Sequence, residues 1–164
     1  MSDQPANNMR SKDLTALGFD YGLKHLGVAV GQTITATASA LETVRIRNGK
    51  PDWDRISALI SAWQPDLLVV GEPLNMDGSE QAMTKASRRF SRQLHGRYGV
   101  RVELIDERLS TVEARERLAE QGRSGQPDHP VAAQVLLETW LHDASVADLA
   151  NPQVEAPALH RETE

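Results

Sequence analysis

The chain has 164 residues, 40% of them apolar, no cysteine and a formal net charge of −5. That length supports one sizeable core but not two ordinary enzymatic domains, and the lack of cysteine excludes disulfides, thiolate metal sites and thiol nucleophiles. No stretch approaches the roughly 20 apolar residues needed to cross a bilayer, and the polar start MSDQPANNMRSKD has no signal-peptide core, so a cytoplasmic location without a membrane partner is expected.

Residues 1–13 and 145–164 are polar and without periodicity, and are expected to be flexible ends around one domain over 14–144. Leu14 to Tyr21 reads as a strand closed by Gly22. His25 to Gly31 is a second, joined to the first by a hairpin, and a third runs from about Thr35 to Ile46. Asn48-Gly49-Lys50-Pro51 breaks the pattern. Asp52 then caps a helix on which Trp53, Ile56, Leu59, Ile60 and Trp63 recur at helical spacing. Leu67 to Val70 is a continuous apolar run ending at Gly71, as expected of a central strand buried on both faces. The loop from Glu72 to Gly78 leads into a helix with Met83, Ala86, Phe90 and Leu94 inward and Lys85, Arg88 and Arg92 outward. Val100 to Asp106 is another strand. Ser110 and Glu113 have capping-box spacing and open a helix to about Glu120, and a last helix spans about His129 to His142. The order β-β-β-α-β-α-β-α-α predicts an α/β fold: a mixed five-stranded sheet, three antiparallel strands followed by parallel ones, with helices on both faces. The ribonuclease H-like fold has this order.

The acidic balance argues against a nucleic-acid partner only until its distribution is read. From His142 onward, Asp143, Asp148, Glu155, Glu162 and Glu164 face Arg161 alone, leaving a net charge of −1 for residues 1 to 141. Within that near-neutral body, Ser79 to Tyr98 carries Lys85, Arg88, Arg89, Arg92 and Arg97 against Glu80. Lys85, Arg88 and Arg92 are therefore candidate phosphate contacts, or an ordinary solvated helix face. Asn75 lies in the loop before this helix, whose amino end favours anions.

Two strands end in acids. Asp20 follows the apolar run Leu17-Gly18-Phe19, where an unpaired charge would be costly, so it is either a metal ligand or a turn-capping residue before Gly22. Ile105-Asp106-Glu107-Arg108 repeats the arrangement, and a solvated turn with Arg108 paired to an acid is the competing reading. Acids gathered outside the carboxyl ends of strands would hold Mg²⁺ or Mn²⁺, hard cations that activate water for attack at phosphorus. An Asp-x-Gly strand-turn also opens the phosphate site of actin-like ATPases, but those require two such domains.

The motifs FDYGLKHLGVAVGQ, VVGEPLNMDG, IDERLST and AAQVLLETWL, in this order and spacing, resemble the YqgF family, also called RuvX. Its members are described as Holliday junction resolvases and as pre-16S rRNA nucleases, and the similarity covers roughly Leu14 to Leu141. The resemblance implies a ribonuclease H-like, metal-dependent endonuclease acting in 5′-end processing of precursor 16S rRNA, with ribosomal particles among its partners. The alternatives are structured DNA as substrate, or a weakened RNA-binding assembly factor. Carried over by position, Asp20 is the first metal ligand and Glu107 the second acid. The family's third acid, an Asp opening the last helix, falls on His129 here, with Asp128 one residue earlier and about 100° away around a helix. Either His129 serves in its place, or Asp128 swings in as a ligand, or the site is weakened. Glu72 replaces the apolar residue usual between Gly71 and Pro73, and is read either as a compensating ligand or as a solvated loop residue.

Overall fold

The computed structural model describes residues 13–109 and 129–143. The expected helix after Ser110, the Asp128 position, the expected flexible tail over 145–164 and all but Asp13 of the expected flexible start lie outside the described residues. Six strands form one sheet in the order β4-β3-β2-β1-β5-β6. They are β1 (Thr15–Tyr21), β2 (His25–Gln32), β3 (Thr37–Arg47), β4 (Lys50–Pro51), β5 (Leu67–Glu72) and β6 (Arg101–Asp106). β1 pairs antiparallel with β2 and parallel with β5, and β5 pairs parallel with β6. This is the mixed sheet of a ribonuclease H-like fold, with one strand more than the five expected. The addition is β4: Asn48 and Gly49, read from sequence as a break, sit at φ 51° and 75° and turn the chain into a tight hairpin that pairs Arg47 with Lys50.

Among the described residues, three α-helices flank the sheet: α1 (Trp53–Trp63), α2 (Ala82–Tyr98) and α3 (His129–Leu141). Alternation along the strands sorts side chains between two cores. Leu17, Phe19, Leu26, Val28, Leu68, Val70 and Val102 pack against Ile56 and Leu59 of α1 and Phe90 and Leu94 of α2. On the other face, Ala16, Ala29, Leu67, Val69 and Ile105 pack against Ala133, Leu136, Leu137 and Trp140 of α3. Small residues on the strands beneath α3 let it lie close, and Ala38 of β3 ties it down. The Ala38 N–H donates to Glu138, and the Gln134 amide donates to the Ala38 carbonyl.

Asp52 caps α1 as expected, its carboxylate accepting from the Arg55 N–H at 3.2 Å. Trp63 departs from the expected inward stripe and is 40% exposed. The buried stripe of α2 also differs. It is Thr84, Ser87, Phe90, Ser91 and Leu94, with Met83 and Ala86 only half-buried. Hydroxyls can occupy a buried helix face when they are satisfied by backbone: Ser87 donates to the Met83 carbonyl, Ser91 to Arg88, and Thr84 to Pro73 in the preceding loop. Among the described residues, no helix is long and apolar enough to cross a membrane.

Phe90 meets Phe19, Tyr21 and Trp53 at ring-centroid distances of 5.6, 4.9 and 5.7 Å. Phe90→Ala is expected to lower the unfolding free energy by about 3–5 kcal/mol in chemical denaturation, because these rings cannot collapse into the vacated space.

Candidate active site

The site begins with the register of the three central strands. Asp20 on β1 lies directly opposite Gly27 of β2. The parallel pairing of β1 with β5 runs from Ala16 beside Leu67 to Phe19 beside Val70, and one further step along both strands sets Asp20 beside Gly71. Asp20 is flanked on both sides by residues without side chains. Alternation turns its carboxylate to the α3 face, since its neighbour Phe19 belongs to the opposite core.

Both glycines are overlain. A Cβ at Gly71 would lie 2.7 Å from Glu107 Oε2 and 2.6 Å from Leu136 Cδ1, so the Glu107 carboxylate rests over the end of β5, next to Asp20. A Cβ at Gly27 would collide with the carbonyl of His129. The start of α3 thus sits on β2 on the other side of Asp20. At Gly27 the obstacle is backbone, so only glycine permits the approach; at Gly71 it is the ends of two side chains, which a Cβ would displace. The His129 ring stacks on His25 of β2, centroids 4.7 Å apart and planes 20° from parallel.

Asp20, Glu107 and His129, far apart in sequence, therefore share one face at one end of the sheet. Two carboxylates at such a place have the oxygen chemistry that suits a hard divalent cation. Among the described residues, no set of three metal-ligating side chains gathers. Asp128, the other expected ligand, lies outside the described residues.

The remaining acids at this end point the other way. Glu72 and Asp106 are register partners on β5 and β6, and each is matched by an arginine. Glu72 accepts from Arg88 Nε, while the same guanidinium donates to Glu80 at 2.6 Å. The reading of Glu72 as a compensating ligand is thereby corrected, because alternation places it on the face opposite Asp20 and its charge is taken up by α2. Asp106 accepts from Arg108 Nη2 at 2.7 Å, the paired-turn reading made for this acid. Arg108 also donates to the Met76 carbonyl at 3.2 Å, bracing the loop after β5. In that loop the Asn75 amide donates to Ser79 Oγ at 2.9 Å, so Asn75 serves the turn itself.

The basic helix has a related limit. α2 packs on the core opposite α3, so its cations lie across the sheet from the Asp20 carboxylate. Arg88 is engaged by two carboxylates, and Arg97 lies 4.0 Å over the Trp53 ring. Lys85 and Arg92 remain exposed.

Comparison with known proteins accords with this geometry. The sequence model of a family described as RuvX, Holliday junction resolvase, matches residues 14–143. The chain belongs to the RuvX family. A protein of Nitrosococcus oceani named "Putative pre-16S rRNA nuclease" is 57% identical over 135 residues, spanning 80% of this chain and 88% of that relative. One of the same name from Pectobacterium atrosepticum is 53% identical over 131 residues, 77% of this chain and 94% of the relative. Among solved structures, Thermus thermophilus RuvC superposes with a TM-score of 0.50 at 18% identity, covering 77% of this chain and 92% of that one. At that identity the RuvC likeness concerns the fold alone. Within this RuvX member, the motif around Asp20 also holds Lys24 and His25, to which sequence reasoning gave no role; the place of His25 beside the site follows only from the pairing of β1 with β2 and from its stacking on His129.

The hydrogen bonds and charge of Arg108 hold the Asp106 carboxyl below the usual carboxylate range. A depressed folded-state value contributes stability above the unfolded value, and that contribution is lost as pH falls through the folded one. Arg108→Ala removes it. The stability gap between wild type and Arg108→Ala, read by urea denaturation across pH, is expected to be widest near neutrality and to narrow as pH falls below about 4.

Proposed function

We propose that this RuvX-family chain is a metal-dependent phosphodiester hydrolase that cleaves RNA, acting at the 5′ side of precursor 16S rRNA. The observation that carries this reading is that Asp20 and Glu107 come to the same glycine-floored end of the sheet. The naming of close relatives as pre-16S rRNA nucleases supports RNA as the substrate.

Asp20 and Glu107 would hold Mg²⁺ or Mn²⁺, which when bound supplies charge neutralisation at phosphorus and lowers the pKa of a coordinated water. The chain's own part is positional. β1 sets the backbone of Asp20 opposite Gly27 of β2, one step beyond the end of its pairing with β5. Gly71 leaves the opening through which Glu107 reaches the same point, and Leu136 bounds that opening on its apolar side. His129, braced on His25, stands where an imidazole can take up or release a proton near the scissile bond. Asp128 is the proposed further ligand at the amino end of α3. Lys85 and Arg92 are proposed contacts for nucleic acid beyond the sheet end, with Asn75 shaping the loop between; Arg88 contributes through its clamp on Glu72 and Glu80.

The experiment is cleavage of a precursor 16S RNA fragment and of a four-way DNA junction, with and without Mn²⁺. Asp20→Asn and Glu107→Gln are each expected to lower RNA cleavage by at least about 100-fold, beyond the roughly 10–100-fold typical of an outer partner of a metal. Junction cleavage without RNA cleavage would transfer the activity to DNA, as the family description suggests. RNA binding with no cleavage of either would leave an assembly factor.

Gly71→Ala offers a second check. The added methyl meets the ends of two flexible side chains, Leu136 and Glu107, so the protein should fold with both displaced while Mn²⁺ binding by calorimetry weakens. Unchanged Mn²⁺ affinity would separate Glu107 from the metal.

A further inference from the structure

At the same end of the sheet as Asp20, on the outer antiparallel strands, lies an open cleft of about 660 Å³. Leu23, Lys24 and His25, from the β1–β2 turn and the start of β2, form one part of its lining. Arg45, Ile46, Arg47, Asn48 and Gly49, from the end of β3 and the hairpin to β4, form the rest. Its lining contains three permanent cations and no carboxylate.

Register places these cations relative to the site. His25 is opposite Arg45, and Gly27 opposite Thr43. Arg45 therefore shares the face of His25, and Arg47, two residues on, shares it too. Val44 and Ile46 between them belong to the opposite core. From Asp20 the face runs across Gly27 to His25 and on to Arg45 and Arg47. His25 is common to both places: it lines the cleft and stacks on His129, whose carbonyl covers Gly27.

These charges are also uncommitted. Among the described residues, no carboxylate pairs with Lys24, Arg45 or Arg47, whereas Arg55, Arg88, Arg101 and Arg108 each have an acidic partner. Lys24, Arg45 and Arg47 are exposed. Three cations, two on β3 and one in the turn before β2, without a carboxylate partner among the described residues, favour a polyanion over any single small anion.

We infer that this cleft holds the phosphate backbone of an RNA strand on its way to Asp20 and Glu107, a track separate from the basic face of α2. The inference rests on the proposed nuclease reading for its direction, but binding can be measured without catalysis. Phosphate contacts position a strand without reading its bases, and they reveal themselves in salt dependence.

The test is fluorescence anisotropy of a labelled precursor 16S RNA fragment in EDTA, titrated at several salt concentrations. Lys24→Ala/Arg45→Ala/Arg47→Ala is expected to weaken binding about 10- to 100-fold near 0.1 M salt, and to flatten the plot of log K against log salt by about two units, roughly 0.7 for each lost phosphate contact. Arg45→Lys/Arg47→Lys keeps the charges and should bind near the wild-type level. Should the triple variant fail to fold, each single alanine exchange at these exposed positions should still reduce the slope by about 0.7. Wild-type affinity and slope in a folded triple variant would overturn the inference, as would a wild type that binds no RNA. Loss of four-way DNA junction binding with RNA binding intact would overturn the assignment to RNA. Failure of the catalytic reading shows separately, as cleavage insensitive to Asp20→Asn while the triple variant still loses binding.

Discussion

The structure turns on the close approach that two glycines allow at the carboxyl end of β1. A carboxylate at the end of a central strand, with a full side chain on each neighbouring strand, would be walled in and poorly solvated, at a cost of several kcal/mol. Here both neighbours lack a side chain. Gly71 makes room for Glu107 and Gly27 for the first turn of α3. The vacated space is thus filled by the groups that can complete a polar site, and Leu136 closes it from the core side. The same small-residue logic continues along the face, where Ala16, Ala29 and Ala38 let α3 lie close to the sheet.

A second consequence follows from strand alternation. Four acids, Asp20, Glu72, Asp106 and Glu107, cluster near one end of three strands, and a cluster on one side would carry large mutual repulsion. Instead the sheet divides them. Glu72 and Asp106 face α2 or the following turn, and each has an arginine partner. Asp20 and Glu107 face α3 instead, gathered at the glycines of β2 and β5. The arginine pairs of Glu72 and Asp106 brace the loops around the site. The arginines used for neutralisation are withdrawn from nucleic-acid contact, which is why counting basic residues on α2 overstates what that helix offers a phosphate backbone.

The uncommitted cations lie elsewhere, on the outer antiparallel strands. The β3–β4 hairpin brings Arg47 and Lys50 together, and β2–β3 pairing sets Arg45 against His25. An acidic protein can in this way present a local basic surface next to its carboxylates, because electrostatic attraction to a polyanion depends on the field near the site more than on net charge.

Local signals in the sequence determined most of the framework. Apolar runs ending at Asp20, Gly71 and Asp106 marked three strand ends, Asp52 marked a helix start, and the spacing of four motifs marked the family. Acids at the ends of apolar strands marked Asp20 and the Asp106-Glu107 pair as candidates, and the family resemblance singled out Glu107 of the two. Tertiary structure alone decided which acids act together, since facing depends on register and a single step reverses it; hence Glu72 was open to reading as a ligand although it belongs to Arg88. The two-residue strand β4 escaped because its turn residues look the same as a simple break, and the buried hydroxyls of α2 escaped because their partners lie in backbone. The basic cleft was illegible for the same reason: Lys24, Arg45 and Arg47 are scattered in sequence, and only the pairing of β2 with β3 makes neighbours of them.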